Sequence, residues 1–435
     1  MSAELFENRL SRLIGDKRVL VLGYGREGRS THRVLTGVGG YSCLDVADSD
    51  PAVAGAAPTG VVITGEKYLD SLGDYDVVFK SPGIVLPNNV SSLDCAISSQ
   101  TDLFLSEYSG QTIGVTGTKG KSTVATLLSH TLESAGYEAI LAGNIGTPVF
   151  DIYDRVTSGT KIVVELSCHQ LEYCEHSPSQ AVLLNLFEDH LDHYGTFERY
   201  IRAKKNIYRY QSGRDTLYAH LDDLPISIQT DSRVRDVNAG DLPFTRFEDV
   251  GGVRLRGEHN LLNAAFAYNI CLDIGVEGET FINALRSYDP LPHRLEFLGS
   301  KNGVDYYDDS ISTTVESAVS AVKSVPNAKT LIIGGMDRGI DYTALVDFLL
   351  AGNLTAIIGM YDSGKRVREM YLARCTRSEA ERFMYADDLY GAAELAQIHT
   401  LPGDACLLSP AAASYGDFVN FEERGNVFRR LIFDL

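Results

Sequence analysis

An apolar stretch that runs into a glycine-rich turn and then a helix constrains this fold more than any other feature. Residues 112–115 form a short strand pattern, and glycines follow at 117 and 120 before the Lys-Ser-Thr of 121–123. Apolar residues then recur at helical spacing until Gly136. In such a turn, the backbone N–H groups and the positive end of the helix dipole face an anion. The segment 114–123 therefore predicts a phosphate-binding turn between a strand and a helix.

The glycine spacing of this turn differs from that of the common P-loop. Where that motif has its first glycine, five residues before Gly120, this chain has Val115. Lys121 is nevertheless placed to reach β- and γ-phosphates, and Ser122 to offer a hydroxyl to Mg²⁺. The alternative is a turn whose glycines serve only the chain's geometry. The order of strand, turn, lysine and hydroxyl favours ATP binding.

Composition limits the other possibilities. The 435 residues predict two or three domains. A formal net charge of −19 argues against nucleic acid or an anionic membrane as the main partner. The seven cysteines include no CxxC pair, which is typical of reduced thiols. The N-terminus lacks the pattern of a signal peptide, and the uncharged run 51–65 is too short to span a bilayer. We expect a cytoplasmic protein.

Three segments alternate strand and helix patterns, which predicts an α/β fold with mostly parallel sheets. We place the domains at 1–109, 110–296 and 297–435: a Rossmann-like domain, a central P-loop ATPase-type sheet and a second Rossmann-like domain. The first contains a GxGxxG turn at 23–28, with Asp45 at the distance of an acid that holds a ribose hydroxyl. Glycines needed only for close helix–strand packing are the alternative there.

The central segment places acids and a histidine after strands. Glu165 ends the strand pattern 161–165, a position at which P-loop proteins hold Mg²⁺. A second strand pattern, 180–186, leads into Glu-Asp-His at 188–190, and a helix near 197–210 follows. We interpret Cys168 and His169 as packing residues, because neighbours on a strand point to opposite faces. His193 is interpreted as structural.

Together, these pieces resemble the Mur ligase family along nearly the whole chain. The resemblance rests on the following segments: Gly114–Thr123, Gly143–Gly146, Glu165–Ser167, Gln170–Glu172, Asn185 with Glu188–His190, Lys204, His259, Asn260, Asn263, Pro292–Arg294, Asp308–Ser310 and Leu408–Gly425. The phosphate loop and Glu-Asp-His are typical of the family, and the last segment is typical of the members that add glutamate.

The resemblance implies an ATP-dependent, ADP-forming amide ligase of cytoplasmic peptidoglycan precursor synthesis. Such an enzyme phosphorylates the carboxylate of UDP-N-acetylmuramoyl-L-alanine, and the amine of D-glutamate then attacks the acyl phosphate. The implied cofactors are two Mg²⁺ ions, with ATP as co-substrate. The second Mg²⁺ would use His190 and Lys204, and the family carbamylates this lysine because a free ammonium cannot ligate a cation. Lys205 is the lesser candidate for that modification. The family also implies a monomer.

The roles carried over from the family fall on the following residues. Catalysis would depend on Lys121, His190 and Lys204. ATP would contact Gly117, Thr118, Lys119, Gly120, Lys121, Ser122, Thr123, Asn260, Asn263, Arg294 and Asp309. The UDP-linked substrate would contact Gly25, Arg26, Glu27, Asp45, Ser81, Gly83 and Asn144. Glutamate would contact Thr313, Arg338, Ser414 and Phe421. Metal would bind Ser122, Glu165, His190 and Lys204.

The chain departs from the family pattern in the amino-acid pocket. Ile311 stands where a lysine usually follows Asp-Ser, and Arg338 stands where the family has Asp-Gly-Lys. Arg338 could still pair with a carboxylate in bidentate fashion. D-glutamate is expected, and L-glutamate or another amino acid remains an alternative, as do a folate-polyglutamate ligase and a nicotinamide-dependent oxidoreductase.

Overall fold

A computed structural model describes residues 3–56, 60–86 and 94–434. The chain divides into two compact units, one formed by Met1–Thr245 with Leu262–Leu285 and the other by Arg246–Leu261 with Arg286–Leu435. Each unit is built from α/β layers, and nearly all strand pairs are parallel. This architecture confirms the predicted fold class. Within the described ranges, no helix has the length and apolar character needed to cross a membrane.

The first unit contains two sheets, of which the first is five-stranded and parallel. Its strands are β1 (Arg18–Leu22), β2 (Cys43–Asp48), β3 (Val62–Thr64), β4 (Val77–Lys80) and β5 (Ala96–Ser98). Its helices are α1 (Ala3–Ile14), α2 (Arg26–Val38) and α3 (Gln100–Tyr108). The strand order is β3-β2-β1-β4-β5, so the direction of winding reverses at β1. Ligands of such sheets bind at the carboxyl ends of the strands beside this reversal.

The second sheet is six-stranded and parallel, in the order β11-β10-β9-β6-β8-β7. Its strands are β6 (Thr112–Thr116), β7 (Ala139–Gly143), β8 (Lys161–Glu165), β9 (Gln180–Leu183), β10 (Thr216–Ala219) and β11 (Arg233–Asp236). The helices of this part of the chain are α4 (Lys121–Ser134), α5 (Cys168–Leu171), α6 (Leu191–Tyr194), α7 (Phe197–Arg209), α8 (Glu258–Ile274) and α9 (Gly278–Ser287). β6 lies between β8 and β9, so the turn after β6 again marks a reversal of winding.

One apolar core joins the two sheets of the first unit. Phe6 of α1 packs against Tyr108 of α3 and against Phe150, with ring centroids 5.6 and 5.4 Å apart. The predicted boundary at 109/110 falls between α3 and β6, where one sheet ends and the next begins. The shared core explains why both sheets lie in the same compact unit.

The second unit holds a six-stranded sheet in the order β12-β13-β17-β14-β15-β16, in which β12 and β13 are antiparallel and the other pairs parallel. Its strands are β12 (Glu296–Lys301), β13 (Val304–Asp308), β14 (Ala328–Ile333), β15 (Ala356–Met360), β16 (Phe383–Ala386) and β17 (Ala405–Leu408). Its helices are α10 (Val315–Ser324), α11 (Thr343–Ala351), α12 (Tyr361–Leu372), α13 (Arg377–Ala380), α14 (Leu389–His399) and α15 (Phe421–Phe433).

The structure corrects one sequence-based interpretation. Cys168 and His169 do not continue the strand that ends at Glu165, because they open the short helix α5. A capping box fixes this start: the Ser167 hydroxyl accepts from the Gln170 N–H, and the Gln170 side chain accepts from the Ser167 N–H. The argument that the two side chains point to opposite faces of a strand is therefore wrong.

Candidate active site

The phosphate turn lies between β6 and α4, as the sequence predicts. Gly120 precedes the first residue of α4 and has a φ of 87°, in the left-handed region that favours glycine. A Cβ atom at this position would lie 2.5 Å from the Asn263 side-chain oxygen. Backbone conformation and space thus both require glycine where the turn meets the helix.

Residues that follow β9, together with Tyr200 of α7, hold this turn in place. The Asn185 side chain accepts a hydrogen bond from Lys119 N at 2.8 Å and donates one to Lys119 O at 3.0 Å. The Thr118 hydroxyl accepts from Phe187 N at 3.0 Å and lies 2.9 Å from the Tyr200 hydroxyl. In the sequence, Asn185 belongs to a segment that resembles the family, but no role was predicted for it. The structure shows that it shapes the turn from outside.

Two lysines meet at the turn. Lys121 donates to the carbonyl oxygens of Gly117 and Thr118, both at 3.0 Å. Lys204, on α7, donates to the same Gly117 oxygen at 2.7 Å, and its ammonium lies 4.9 Å from the ring centroid of Tyr200. Burial, together with the positive charge of Lys121, lowers the pKa of Lys204 to about 7. Both causes disfavour the charged ammonium of Lys204.

Glu165 ends β8, next to β6 in the sheet, with Val115 as its register partner. The carboxylate is buried, and one of its oxygens accepts from the Asn144 side chain at 2.7 Å. The other oxygen is buried and has no hydrogen-bond partner among the described residues. An unpaired buried acceptor is costly, and carboxylate and hydroxyl oxygens are the ligands that Mg²⁺ prefers. Glu165 and the buried Ser122 hydroxyl therefore fit a magnesium ion.

The His190 side chain is 46% exposed, and its backbone has a left-handed φ of 52°. The His169 ring lies beside it, with centroids 4.8 Å apart, and also 4.4 Å from that of His193. Cys168 Sγ lies 3.8 Å from His169 Nδ1. His193 Nε2 lies 3.1 Å from a Glu172 carboxylate oxygen, and its structural role stays a prediction. The sequence-based prediction missed this convergence because it treated residues 168 and 169 as part of a strand.

The GxGxxG turn of the first sheet is closely packed. A Cβ at Gly28 would lie 1.9 Å from the Gly23 carbonyl oxygen, so packing alone requires that glycine. The Ser81 hydroxyl donates to the same oxygen at 2.8 Å. Cβ atoms built at Gly25 and Gly83 meet nothing within 4 Å. The turn thus combines packing glycines with open positions.

Three polar residues expected to meet the UDP-linked substrate have partners within the protein. Arg26 donates to the Asn144 carbonyl at 2.8 Å. The half-buried Glu27 carboxylate accepts from the Gln170 and Gln100 side chains at 2.6 and 3.1 Å, and desolvation raises its pKa.

Asp45 accepts from Val61 N at 2.7 Å and from the Tyr75 hydroxyl at 2.9 Å. These bonds fix the positions of all three side chains. Their contacts with a ligand stay predictions.

In the second unit, buried polar groups surround the end of β13. Asp309 accepts from the hydroxyls of Ser312 and Ser409, and burial raises its pKa to about 6. The preceding residue, Asp308, lies 2.6 Å from His293 Nδ1, and this hydrogen bond raises the pKa of His293.

Arg424, on α15, donates to the Ser310 hydroxyl and carbonyl at 3.0 and 2.7 Å. It links this loop to α15. Asn260, on α8, donates to the Arg256 carbonyl at 2.6 Å. Arg294 lies between α9 and β12.

The residues expected to hold glutamate differ in exposure. Thr313 and Arg338 are exposed, Ser414 is buried, and Phe421 is the first residue of α15. Among the described residues, no ion pair involves the Arg338 guanidinium. The acid beside it, Asp337, instead accepts hydrogen bonds on both carboxylate oxygens from a single nitrogen of Arg366, at 2.8 and 3.1 Å. The sequence motifs did not indicate Arg366, because it lies on α12, outside the segment that contains Asp337 and Arg338.

Comparison with known proteins places this geometry in a family. Residues 115–271 match the Mur ligase middle domain. The chain is 33% identical over 400 residues to the UDP-N-acetylmuramoylalanine–D-glutamate ligase of Symbiobacterium thermophilum, covering 85% of this chain and 87% of that protein. The chain belongs to the Mur ligase family. Members of this family are ATP-dependent, ADP-forming amide ligases, and the chain is an enzyme of this class.

A second relative covers more of the chain. The UDP-N-acetylmuramoyl-L-alanine–L-glutamate ligase of Salinispora tropica is 33% identical over 460 residues, covering 98% of this chain and 99% of that protein. The fold also resembles the MurF ligase of Thermotoga maritima solved in complex with ADP, with a TM-score of 0.57, 18% identity and coverage of 98% and 97%. At that identity, the likeness shows the Mur ligase fold. A nicotinamide-dependent oxidoreductase is excluded by family membership.

Proposed function

We propose that this Mur ligase joins glutamate to UDP-N-acetylmuramoyl-L-alanine in peptidoglycan precursor synthesis. The proposal is supported by relatives of both glutamate types that cover most of the chain. The observation that carries the ATP chemistry is the convergence of Lys121, Lys204 and the unpaired oxygen of Glu165 around one phosphate turn. ATP would lie on this turn, and the contacts expected of Asn260, Asn263, Arg294 and Asp309 with ATP stay predictions.

The proposed reaction consists of two successive displacements. A carboxylate oxygen of the substrate attacks the γ-phosphorus of ATP, the bond to the β-phosphate oxygen breaks, and ADP leaves. The glutamate amine then attacks the acyl carbon, loses a proton, and expels inorganic phosphate as the amide forms. The first step brings two anions together, so cationic groups must offset their repulsion.

Lys121 is the residue placed to offset that repulsion. Its ammonium lies over the turn, bound to the two carbonyl oxygens of residues 117 and 118. Removing one well-placed electrostatic contact costs about 3–4 kcal/mol of transition-state stabilisation, or about a hundred- to thousandfold in rate. Lys121→Ala should therefore lower kcat by about that factor.

Two magnesium sites are proposed, and both would supply positive charge to the phosphates. Ser122 and Glu165 would hold the first ion, and His190 with a modified Lys204 the second. An unmodified ammonium would repel Mg²⁺ by about 8 kcal/mol at about 4 Å and an effective dielectric near 20. The lowered pKa of Lys204 supports its carbamylation: the neutral amine attacks CO₂, an N–C bond forms, a proton leaves, and a carboxylate results.

D-glutamate is the first candidate for the added amino acid, and Thr313, Arg338, Ser414 and Phe421 would form its pocket. L-glutamate is the second candidate, because the Salinispora relative is named as an L-glutamate ligase and the match covers 99% of its length. The Ile311 and Arg338 departures fall in the same pocket. The two candidates share every step of the chemistry and differ only in the amine's configuration.

The test is formation of the amide product from ATP, Mg²⁺, the UDP-linked substrate and either pure enantiomer, followed by mass spectrometry. Product with D-glutamate alone supports the first candidate, and product with L-glutamate alone the second. Product with neither would overturn the substrate assignment. Arg366→Lys, which changes the hydrogen-bond partner of Asp337 but not a proposed ligand contact, serves as the control for indirect effects on this pocket.

We further propose that the enzyme acts in the cytoplasm as a monomer. The UDP-linked substrate and ATP support this location, and the net charge of −19 supports the absence of nucleic acid as a partner. The Rossmann-like turn, with Gly25, Arg26, Ser81 and Gly83, would hold the UDP moiety. Size-exclusion chromatography with light scattering tests the oligomeric state.

A further inference from the structure

A thiol and two imidazoles converge beside the phosphate turn, and the chemistry proposed for ATP uses only one of the three, the His190 imidazole. Ligand atoms of Cys168, His169 and His190 all lie within 4.8 Å of one another. Cys168 Sγ and His169 Nδ1 are 3.8 Å apart. A set of one sulfur and two imidazole nitrogens suits thiophilic divalent metals better than Mg²⁺, which prefers oxygen ligands. We propose that these three residues form a binding site for such a metal, with Zn²⁺ as the representative ion.

The distances suit a tetrahedral centre. With Zn–S near 2.3 Å and Zn–N near 2.0–2.1 Å, ideal tetrahedral angles give a sulfur–nitrogen separation of about 3.6 Å and a nitrogen–nitrogen separation of about 3.3 Å. The cysteine–histidine pair already matches this value. His190 completes the set by a movement of about an ångström, which its exposed side chain permits. The fourth position is left to water, as in open three-ligand zinc sites.

The local fold holds the first two ligands. The capping box of Ser167 and Gln170 fixes the start of α5, with bonds of 3.2 and 2.9 Å, so Cys168 and His169 project from a rigid turn. Cys168 is buried, while His169 is partly exposed toward His190. When the metal binds, the Cys168 S–H bond breaks, the proton goes to solvent, and the thiolate ligates the ion.

Zinc binding has a consequence for catalysis that rests on the proposed function. His190 is the expected ligand of the second magnesium ion, and it cannot serve both metals in one geometry. An ion held by Cys168 and His169 therefore takes His190 away from Mg²⁺. The site would make the ligase sensitive to zinc, cadmium or cobalt, and a chelator would restore its activity.

The direct test is a Co²⁺ titration of the full-length, metal-free protein. The expected result is one bound Co²⁺ with the intense visible absorption of a tetrahedral ion and a sulfur-to-cobalt charge-transfer band, both abolished by Zn²⁺. Cys168→Ser should lose the charge-transfer band and weaken metal binding by at least about a hundredfold, since even outer partners of metal ligands contribute 10–100-fold. Cys375→Ser is the matched control, because Cys375 is a half-buried thiol outside the cluster.

Each other outcome overturns the proposal. A weak octahedral spectrum in the wild type would show that no thiolate site exists, and a charge-transfer band that survives in Cys168→Ser would place the site elsewhere. Should Cys168→Ser not fold, His169→Phe must lose tight binding while keeping the thiol, and retention of tight binding would refute the site.

Inhibition of phosphate release by Zn²⁺, with about a hundredfold weaker inhibition of Cys168→Ser, tests the link to catalysis. Failure of the ligase assay alone would refute the proposed function and leave the cobalt result to decide the metal site.

Discussion

Replacing Glu165 by methionine should make the ligand-free protein more stable and the enzyme much less active. The wild-type carboxylate is buried, bonded only to the exposed Asn144, and has one oxygen without a partner in the described parts of the chain. A buried ion of this kind carries an effective desolvation penalty of several kcal/mol. Glu165→Met removes the penalty with a side chain of similar size.

The balance of the two effects sets the magnitude. The substitution loses a charge-assisted hydrogen bond worth about 1.5–3 kcal/mol, and the freed Asn144 amide returns to water. Against a penalty of several kcal/mol, the free energy of unfolding should rise by about 1–2 kcal/mol. At about 2–4 °C per kcal/mol for chains of 150–250 residues, the unfolding temperature should rise by about 2–8 °C. Activity should fall by at least about a hundredfold, because a metal ligand is lost.

Thermal unfolding with and without Mg²⁺ and ATP, together with the rate of ADP formation, measures both effects. Ligand binding should raise the unfolding temperature of the wild type and not that of Glu165→Met. Glu133→Met, at an exposed position on α4, should change stability by no more than about 0.5 kcal/mol and leave activity intact. Destabilisation of Glu165→Met would refute the reasoning about the unpaired oxygen, and full activity would refute its role toward the metal.

Three further predictions concern the glycine turn and two perturbed side chains. Gly120→Ala should destabilise the protein by about 1–2 kcal/mol, because residue 120 has a left-handed φ, and it should weaken ATP binding. Gly37→Ala, in a helix with open space around the Cβ, should instead stabilise the protein by about 0.5–1 kcal/mol. Thermal unfolding and nucleotide-binding assays of both variants measure these effects. Burial lowers the pKa of Lys204 to about 7, so the folded state binds fewer protons than the unfolded state between pH 7 and about 10.5. In urea unfolding, Lys204→Met should therefore be more stable than the wild type by the largest amount at pH 7 and by little near pH 10.5. An equal gain at both pH values would contradict the lowered pKa of Lys204. The hydrogen bond to Asp308 raises the pKa of His293, so the stability that it supplies is complete below about pH 6.5 and is lost as pH rises through the raised value; the difference in unfolding free energy between wild type and His293→Gln should shrink from pH 6 to pH 9, and a difference that grows with pH would refute the assignment.

The sequence predicted those parts of the site whose signals are local. Strand, glycine turn, lysine and helix follow one another directly in the phosphate loop, so their order alone indicated its structure. The capping box Ser-x-x-Gln at 167–170 was an equally local signal for a helix start, and overlooking it led to the wrong reading of Cys168 and His169.

Other features depend on partners that are distant along the chain. Asn185 holds Lys119 across 66 positions, and Gln170 binds Glu27 across 143. Such pairs form only once the sheets have assembled, so spacing along the sequence contains no signal for them. For the same reason, the position of Glu165 at a strand end could not show that one of its oxygens is buried and unpaired. That position predicted only a role toward a metal ion.

The proposed reaction activates the substrate carboxylate as an acyl phosphate for attack by glutamate. The most direct measurement uses UDP-N-acetylmuramoyl-L-alanine with ¹⁸O in its terminal carboxylate, together with ATP, Mg²⁺ and each glutamate enantiomer. We expect inorganic phosphate that carries one ¹⁸O atom for each amide formed, because the attacking oxygen leaves with the phosphate. Unlabelled phosphate, or no phosphate release with either enantiomer, would contradict it.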